Sequence, residues 1–198
     1  EYVLAYEAPI LLSYSYINRC EFQQAVGTID FFRLLAIKRE DYYTASLYRA
    51  MLGTTLRVIG KKEEALFHLE GSQADALAAD NMIGYWIGLT GLSCLYLSEG
   101  EMDKGIELLH KALSVAKEAG VTHQIFHSIY LESYFKAEQA GCDVPDEWHF
   151  DHLFERIMVE PNTNLQGVAL RLRAMKSAAE GKDEESILND LQKSQALL

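Results

Sequence analysis

Apolar residues recur along this chain at helical spacing. Leu52, Leu56 and Ile59 lie at i, i+4 and i+7, and Ala65, Leu69 and Ser72 repeat that spacing a few residues later. Side chains so spaced fall on one face of a helix, which must be buried against a neighbour. Between the two stretches stands Gly60-Lys-Lys-Glu-Glu. A glycine there ends one helix in the left-handed conformation, and the carboxylates after it complement the positive N-terminal end of the next. The pattern predicts helices over 4–18, 22–38, 42–59, 62–79, 82–98, 102–119, 122–140, 146–159, 164–180 and 183–198, with no competing strand signal.

The same segment returns along the chain. Gly60-Lys-Lys-Glu-Glu-Ala65 matches Gly181-Lys-Asp-Glu-Glu-Ser186, Gly100-Glu-Met-Asp-Lys-Gly105 and Cys20-Glu-Phe-Gln-Gln-Ala25, with a looser copy at Gly141-Cys-Asp-Val-Pro-Asp146. The turn residues 20, 60, 100, 141 and 181 are spaced 40, 40, 41 and 40 apart. Equivalent positions stack into columns: Leu12, Leu52, Leu92 for a large apolar residue; Ser13, Gly53, Ser93 for a small one; Tyr16, Leu56, Tyr96; and Ala25, Ala65, Gly105 across the turn. Small residues facing small residues let paired helices approach closely. The fourth unit departs from the columns with Tyr134 and Asp146, and in the fifth Arg173 stands in the leucine column.

Leu52-Gly53, then Leu56, Gly60 and Ala65-x-x-x-Leu69 resemble the tetratricopeptide repeat, although the period is about 40 residues rather than the usual 34. That resemblance implies an all-α fold, a right-handed α-α superhelical solenoid of about five helical hairpins (TPR-like), forming a single domain over 1–198. Similar long-helix repeats occur in bacterial signalling ATPases, in transcription activators of the maltose-regulon type and in kinesin light chains. The resemblance therefore points to a cytoplasmic, bacterial regulator of signalling or transcription. The chain starts at Glu1 and ends on Leu197-Leu198 in mid-helical pattern, as expected of a piece of a larger multidomain protein.

Charge removes some function classes. Eighteen Lys and Arg stand against 29 Asp and Glu, a formal net charge of −11. Binding to nucleic-acid phosphates or to an anionic membrane surface calls for the opposite sign, so neither is expected. No apolar run reaches the length of a membrane-spanning helix. The three cysteines, Cys20, Cys94 and Cys142, are scattered and odd in number, which fits reduced thiols. Residues 121–160 hold 8 acidic and 2 basic side chains, so −6 of the −11 lies in the irregular fourth unit. Asp143, Asp146, Glu147 and Asp151 are its candidate docking patch for a basic partner, with a merely solvated face as the alternative.

Catalytic motifs are absent: there is no phosphate-cradling glycine loop, no nucleophile elbow and no zinc-protease helix. Gly84, Gly88 and Gly91 follow helical spacing and read as a close-packing strip. His123 and His127 at i, i+4 lack a third ligand, as do His149 and His152 beside Glu147, Asp151 and Glu155. Neither a metal, a cofactor nor an enzyme activity is expected. In a tetratricopeptide solenoid the first helix of each hairpin lines the concave face, which binds partners. The residues beside the core columns there are Ile10, Ala50, Thr90, Leu131 and Arg171; Tyr14, Thr54, Cys94, Phe135 and Met175; and Ile17, Arg57, Leu97, Glu138 and Ala178. Of these, Tyr14, Thr54, Arg57, Thr90, Leu97, Phe135 and Glu138 are the candidate partner-binding residues, with burial of part of these columns against neighbouring hairpins as the alternative. The surface is small and apolar with few polar points, which suits a protein or peptide segment, including the parent protein's own output domain. A small-ligand or peptide sensor is the alternative function. Exposed hairpin ends also make self-association possible.

Overall fold

The computed structural model describes residues 2–120 and 127–198, with side chains from residue 8 onward except those of 14, 18, 127–129 and 147. Of the described residues, 82% are helical, in about ten helices packed as adjacent pairs. Among the described residues no strand occurs. The helices are α1 (Tyr2–Asn18), α2 (Phe22–Lys38), α3 (Tyr42–Val58), α4 (Lys62–Ala78), α5 (Met82–Ser98), α6 (Met102–Glu118), α7 (His127–Gln139), α8 (Phe150–Val159), α9 (Thr163–Ala179) and α10 (Glu184–Leu197). The sequence places nearly every boundary within two residues. The expected start of the seventh helix at 122 lies outside the described residues. The expected helix over 146–159 divides into a single 3-10 turn, Asp146–Trp148, and α8.

The first six helices start 20 residues apart because one turn is used each time. Cys20, Glu40, Gly60, Asp80, Gly100 and Gly120 all have positive φ, from 52° to 81°. The next amide closes back over the helix end: Glu21 N donates to Tyr16 O, Asp41 N to Ala36 O, Lys61 N to Leu56 O, Asn81 N to Ala76 O and Glu101 N to Tyr96 O, at 2.8–3.0 Å. This is the Schellman closure, which satisfies the carbonyls a helix end leaves open. The residue making that bond is also the N-cap of the following helix. Asp41 and Asn81 use their side chains as well, accepting from Thr44 N and Gly84 N. Gly141 and Gly181 repeat the geometry, with Cys142 N on Ala137 O and Lys182 N on Ser177 O. Gly181 thereby settles the register of the last hairpin: Arg173 lies eight residues before its turn, as Leu52 and Leu92 do before theirs.

The chain divides into two compact units, Glu1–Thr122 and His123–Leu198. In the first unit α3 packs on α2 and α4, and α5 packs on α3, α4 and α6. Leu69, Leu89 and Leu109 are completely buried there, each contributing about 2 kcal/mol of hydrophobic stabilisation. The small-residue columns do what their size suggests. A Cβ at Gly53 would stand 2.6 Å from Leu69 Cγ, and one at Gly105 would stand 2.6 Å from Leu97 Cγ. Ser93 Oγ donates to Gly105 O at 2.7 Å across the α5–α6 pair.

The second unit has its own core, in which Leu131 and Phe135 of α7 meet Phe150, Leu153 and Ile157 of α8 and Leu165, Val168, Ala169 and Leu172 of α9. Its irregularity follows from Tyr134. This fully buried ring stands where earlier units have a small residue, so the partner helix cannot approach; Trp148, in the 3-10 turn, stacks on it at 5.1 Å and fills the gap. His149 then adopts an extended conformation, and α8 begins only after it.

Candidate functional site

The residues expected on the first-helix face divide by exposure. Thr54 and Arg57 are half-buried. The Thr54 hydroxyl donates to Ala50 O and lies 2.9 Å from where a Cβ of Gly91 would be, so it fills the approach between α3 and α5. Arg57 is the more open of the two chemically, because its Nε is buried without a hydrogen-bond partner. The side chain of Tyr14 lies outside the described residues.

Three expected surface residues belong instead to the core. Thr90 is 4% exposed, with its hydroxyl turned back to Trp86 O. Leu97 is 4% exposed and rests against Gly105. Phe135 is 5% exposed and meets Phe150 edge-on at 5.1 Å. For Thr90 the reason is the glycine strip of α5. A Cβ at Gly88 would stand 2.7 Å from Ser72 Oγ, and one at Gly91 would stand 2.6 Å from Leu69 Cδ2. Close packing is therefore the role of this strip, and Gly84 to Ser93 is buried without interruption. A helix so deeply seated offers no open face at Thr90.

Glu138 has an internal structural task. Its Oε2 accepts from Phe150 N at 2.9 Å and so caps α8. His149 Nδ1 stands 3.7 Å from Oε2, and Lys176 Nζ stands 3.7 Å from Oε1. Lys176 also donates to both oxygens of Asp151 at 2.8 Å. Burial opposes its charge, yet the Asp151 hydrogen bonds and nearby carboxylates hold its pKa above the usual lysine value. Of the acidic patch, Asp143 and Asp146 are exposed, Asp151 is exposed but engaged by Lys176, and the Glu147 side chain lies outside the described residues.

No group of three or more metal-ligating side chains occurs among the described residues. His123 and the His127 side chain lie outside them. No disulfide joins Cys20, Cys94 and Cys142; Cys20 is exposed and the other two are half-buried. No described helix is long and apolar enough to cross a membrane.

Sequence reasoning missed a basic cluster between α2, α3 and α4. Arg33 pairs with Asp30 and Arg49 with Asp75, and the Arg49 guanidinium lies 5.3 Å over the Phe67 ring. His68 sits beside both arginines, and burial first, then the two guanidiniums, push its pKa below the usual histidine value. The signal was present in the repeat: Arg49 stands in the column that next carries Leu89.

The whole arrangement is similar to a solved structure, that of a Podospora anserina protein described as a kinesin light chain with nearly identical TPR-like repeats. The TM-score is 0.56 at 14% identity, covering 96% of this chain and 93% of the other. A likeness at this identity concerns the fold, which is thereby a TPR-like helical repeat. No family model matches the chain, and no curated protein does.

Proposed function

We propose that this chain is a protein-interaction module that binds a partner segment, including one from its own parent protein, on the first-helix face of the first unit. The observation that carries the reading is Arg57. Its half-buried guanidinium has a buried Nε without a partner, and an unmet buried donor is costly until a ligand atom satisfies it. Thr54 on the same helix and Cys94, one period after it on α5, are half-buried as well. The TPR-like fold supports an interaction scaffold in general. In the second unit, Asp143 and Asp146 supply a separate charged contact suited to a basic partner. Exposed Leu11 and Leu12 on α1, and Leu198 at the other end, suit self-association through the ends. A cytoplasmic, bacterial regulatory setting rests on the repeat resemblance and the free thiols.

A photo-crosslinking side chain at position 54, with the same group at the exposed second-helix position Glu107 as control, tests this in cells. An adduct with one protein partner forms at 54, not at 107, and Arg57→Ala removes it without lowering the melting temperature. Equal adducts at both positions, or none, would overturn the reading.

The ligand-sensing role is a second reading, and a cavity between the second helices favours it.

A further inference from the structure

The second helices α2 and α4 leave a cavity of about 420 Å³ between them, with α3 as its floor. Its origin is visible in the repeat. Ala45 and Ser46 form the floor, and one period later the same positions carry Tyr85 and Trp86, both buried. The cavity is therefore the space of a phenol and an indole that this hairpin does not supply. The floor is held in place rather than free to collapse: Asn81, fully buried, donates from Nδ2 to Ser46 Oγ at 3.0 Å and to Tyr43 O at 2.8 Å. The walls are Ile37, Ala78 and Ala79, with Tyr42, itself 61% exposed, beside them.

Charge at the cavity is equally ordered. Arg33 and Arg49 line it with side chains 19% and 20% exposed, and Asp75 is the carboxylate that lines it with them. Each guanidinium has one carboxylate partner, Asp30 for Arg33 and Asp75 for Arg49, so these pairs carry no net charge and what they offer an anion is the N–H donors the carboxylates leave over. Each guanidinium is fixed: Arg33 by Asp30 on its own helix, at 2.8 Å from Nε, and Arg49 by Asp75 at 2.6 Å. Gly71 keeps Arg49 in place by having no side chain, since a Cβ there would stand 1.9 Å from a guanidinium nitrogen. Guanidiniums carry five N–H donors apiece and bind carboxylates in a planar fork. The volume lies in the range of small-molecule sites, which are apolar with a few convergent polar groups.

We infer that the α2–α3–α4 cavity binds a small aromatic monocarboxylate, its ring over Ala45 and Ser46 and its carboxylate between Arg33 and Arg49. The ligand carboxylate takes guanidinium N–H donors that Asp30 and Asp75 leave over, and the flat ring takes the place that Tyr85 and Trp86 fill in the next hairpin. This site is independent of partner binding at Arg57 and gives the ligand-sensing reading its ligand class, so the crosslinking result does not decide it.

Titration calorimetry on the full chain with indole-3-propionate and with its neutral amide tests the inference. The acid binds saturably with a submillimolar Kd, and the amide binds at least tenfold more weakly. Arg49→Gln weakens the acid tenfold or more. Ala45→Tyr, which installs the next hairpin's residue, removes binding; should it unfold the chain, the exposed rim change Ala78→Phe decides the same question. Saturable binding by neither probe, equal binding of acid and amide, or full affinity in a folded cavity-filled variant overturns the proposal. So does a peptide ending in tryptophan that binds a hundredfold more tightly than the free acid, because the occupant is then a chain end rather than a small molecule.

Discussion

The α5–α6 and α9–α10 hairpins share a turn and differ in what fills the space between their helices. In α5–α6 the paired columns carry Leu92, 4% exposed, and Leu109, fully buried. In α9–α10 the same columns carry Arg173 and Asp190, joined by two hydrogen bonds of 2.6 Å, with the Asp190 side chain only 4% exposed. Its hydrogen bonds to Asp190 raise the arginine's pKa above the usual value, outweighing the opposing effect of burial. Phe154 covers its other face at 4.2 Å. Both hairpins also use one serine-to-glycine-carbonyl bond of 2.7 Å, with the roles exchanged: Ser93 to Gly105 in one, Ser194 to Gly167 in the other. The turn sets the register, and the columns accept either an apolar or an ionic pair provided it is complete.

The largest expected effect comes from making the ionic pair incomplete. Arg173→Leu leaves a carboxylate buried without its partner and costs about 3 kcal/mol in urea unfolding. The double change Arg173→Leu with Asp190→Leu rebuilds the columns of α5–α6 and recovers the wild-type midpoint to within about 1 kcal/mol. A single variant as stable as the wild type would show that the pair is decorative.

Next in size is the close approach of the helices. Gly53→Ala pushes a methyl against Leu69 Cγ and against its backbone nitrogen 3.0 Å away. Overpacking then outweighs the gain in helix propensity, for a net loss of about 1–2 kcal/mol. In the other hairpin Gly167→Ala meets Leu198 Cγ at 2.7 Å. That side chain is 58% exposed and can swing aside, and the nearest backbone atom, Ser194 O, stands 3.3 Å away rather than 3.0 Å, so thermal unfolding shows a smaller change, within about 0.5 kcal/mol. Equal losses at the two glycines would erase the distinction.

The smallest effect tests what the hairpins share. Gly60→Ala places a Cβ at φ +78° and loses about 1 kcal/mol, whereas Glu40→Gly relieves a side chain at φ +60° and gains up to about 1 kcal/mol. A loss on Glu40→Gly, read from the melting temperature, would mean that the α2–α3 turn depends on the glutamate itself.

Much of this fold is legible in the chain. The spacing of Cys20, Gly60, Gly100, Gly141 and Gly181 locates the hairpins because only a few conformations close a helix so tightly, and glycine is the residue that adopts them most cheaply. The turns at Glu40 and Asp80 are less visible, since their left-handed residues are not glycine and the hydrogen bonds to Ala36 O and Ala76 O hold them there. The expected site was legible only in part. Helical spacing assigns a side chain to a stripe, and stripes that look alike in sequence differ in depth: Thr54 is half-buried, and Thr90, in the neighbouring stripe, is 4% exposed. The glycines that draw α5 inward stand on α5 itself, but what they touch stands on α3 and α4.

By itself the sequence determined the helices, their pairing and the repeat, because these depend on periodicity and on turn residues close together in the chain. Only the tertiary structure decided which stripes stay exposed, that Arg173 is answered by Asp190, and that Arg33 and Arg49 meet at one cavity. Those outcomes depend on distances between residues 16 or more positions apart, which no local pattern encodes.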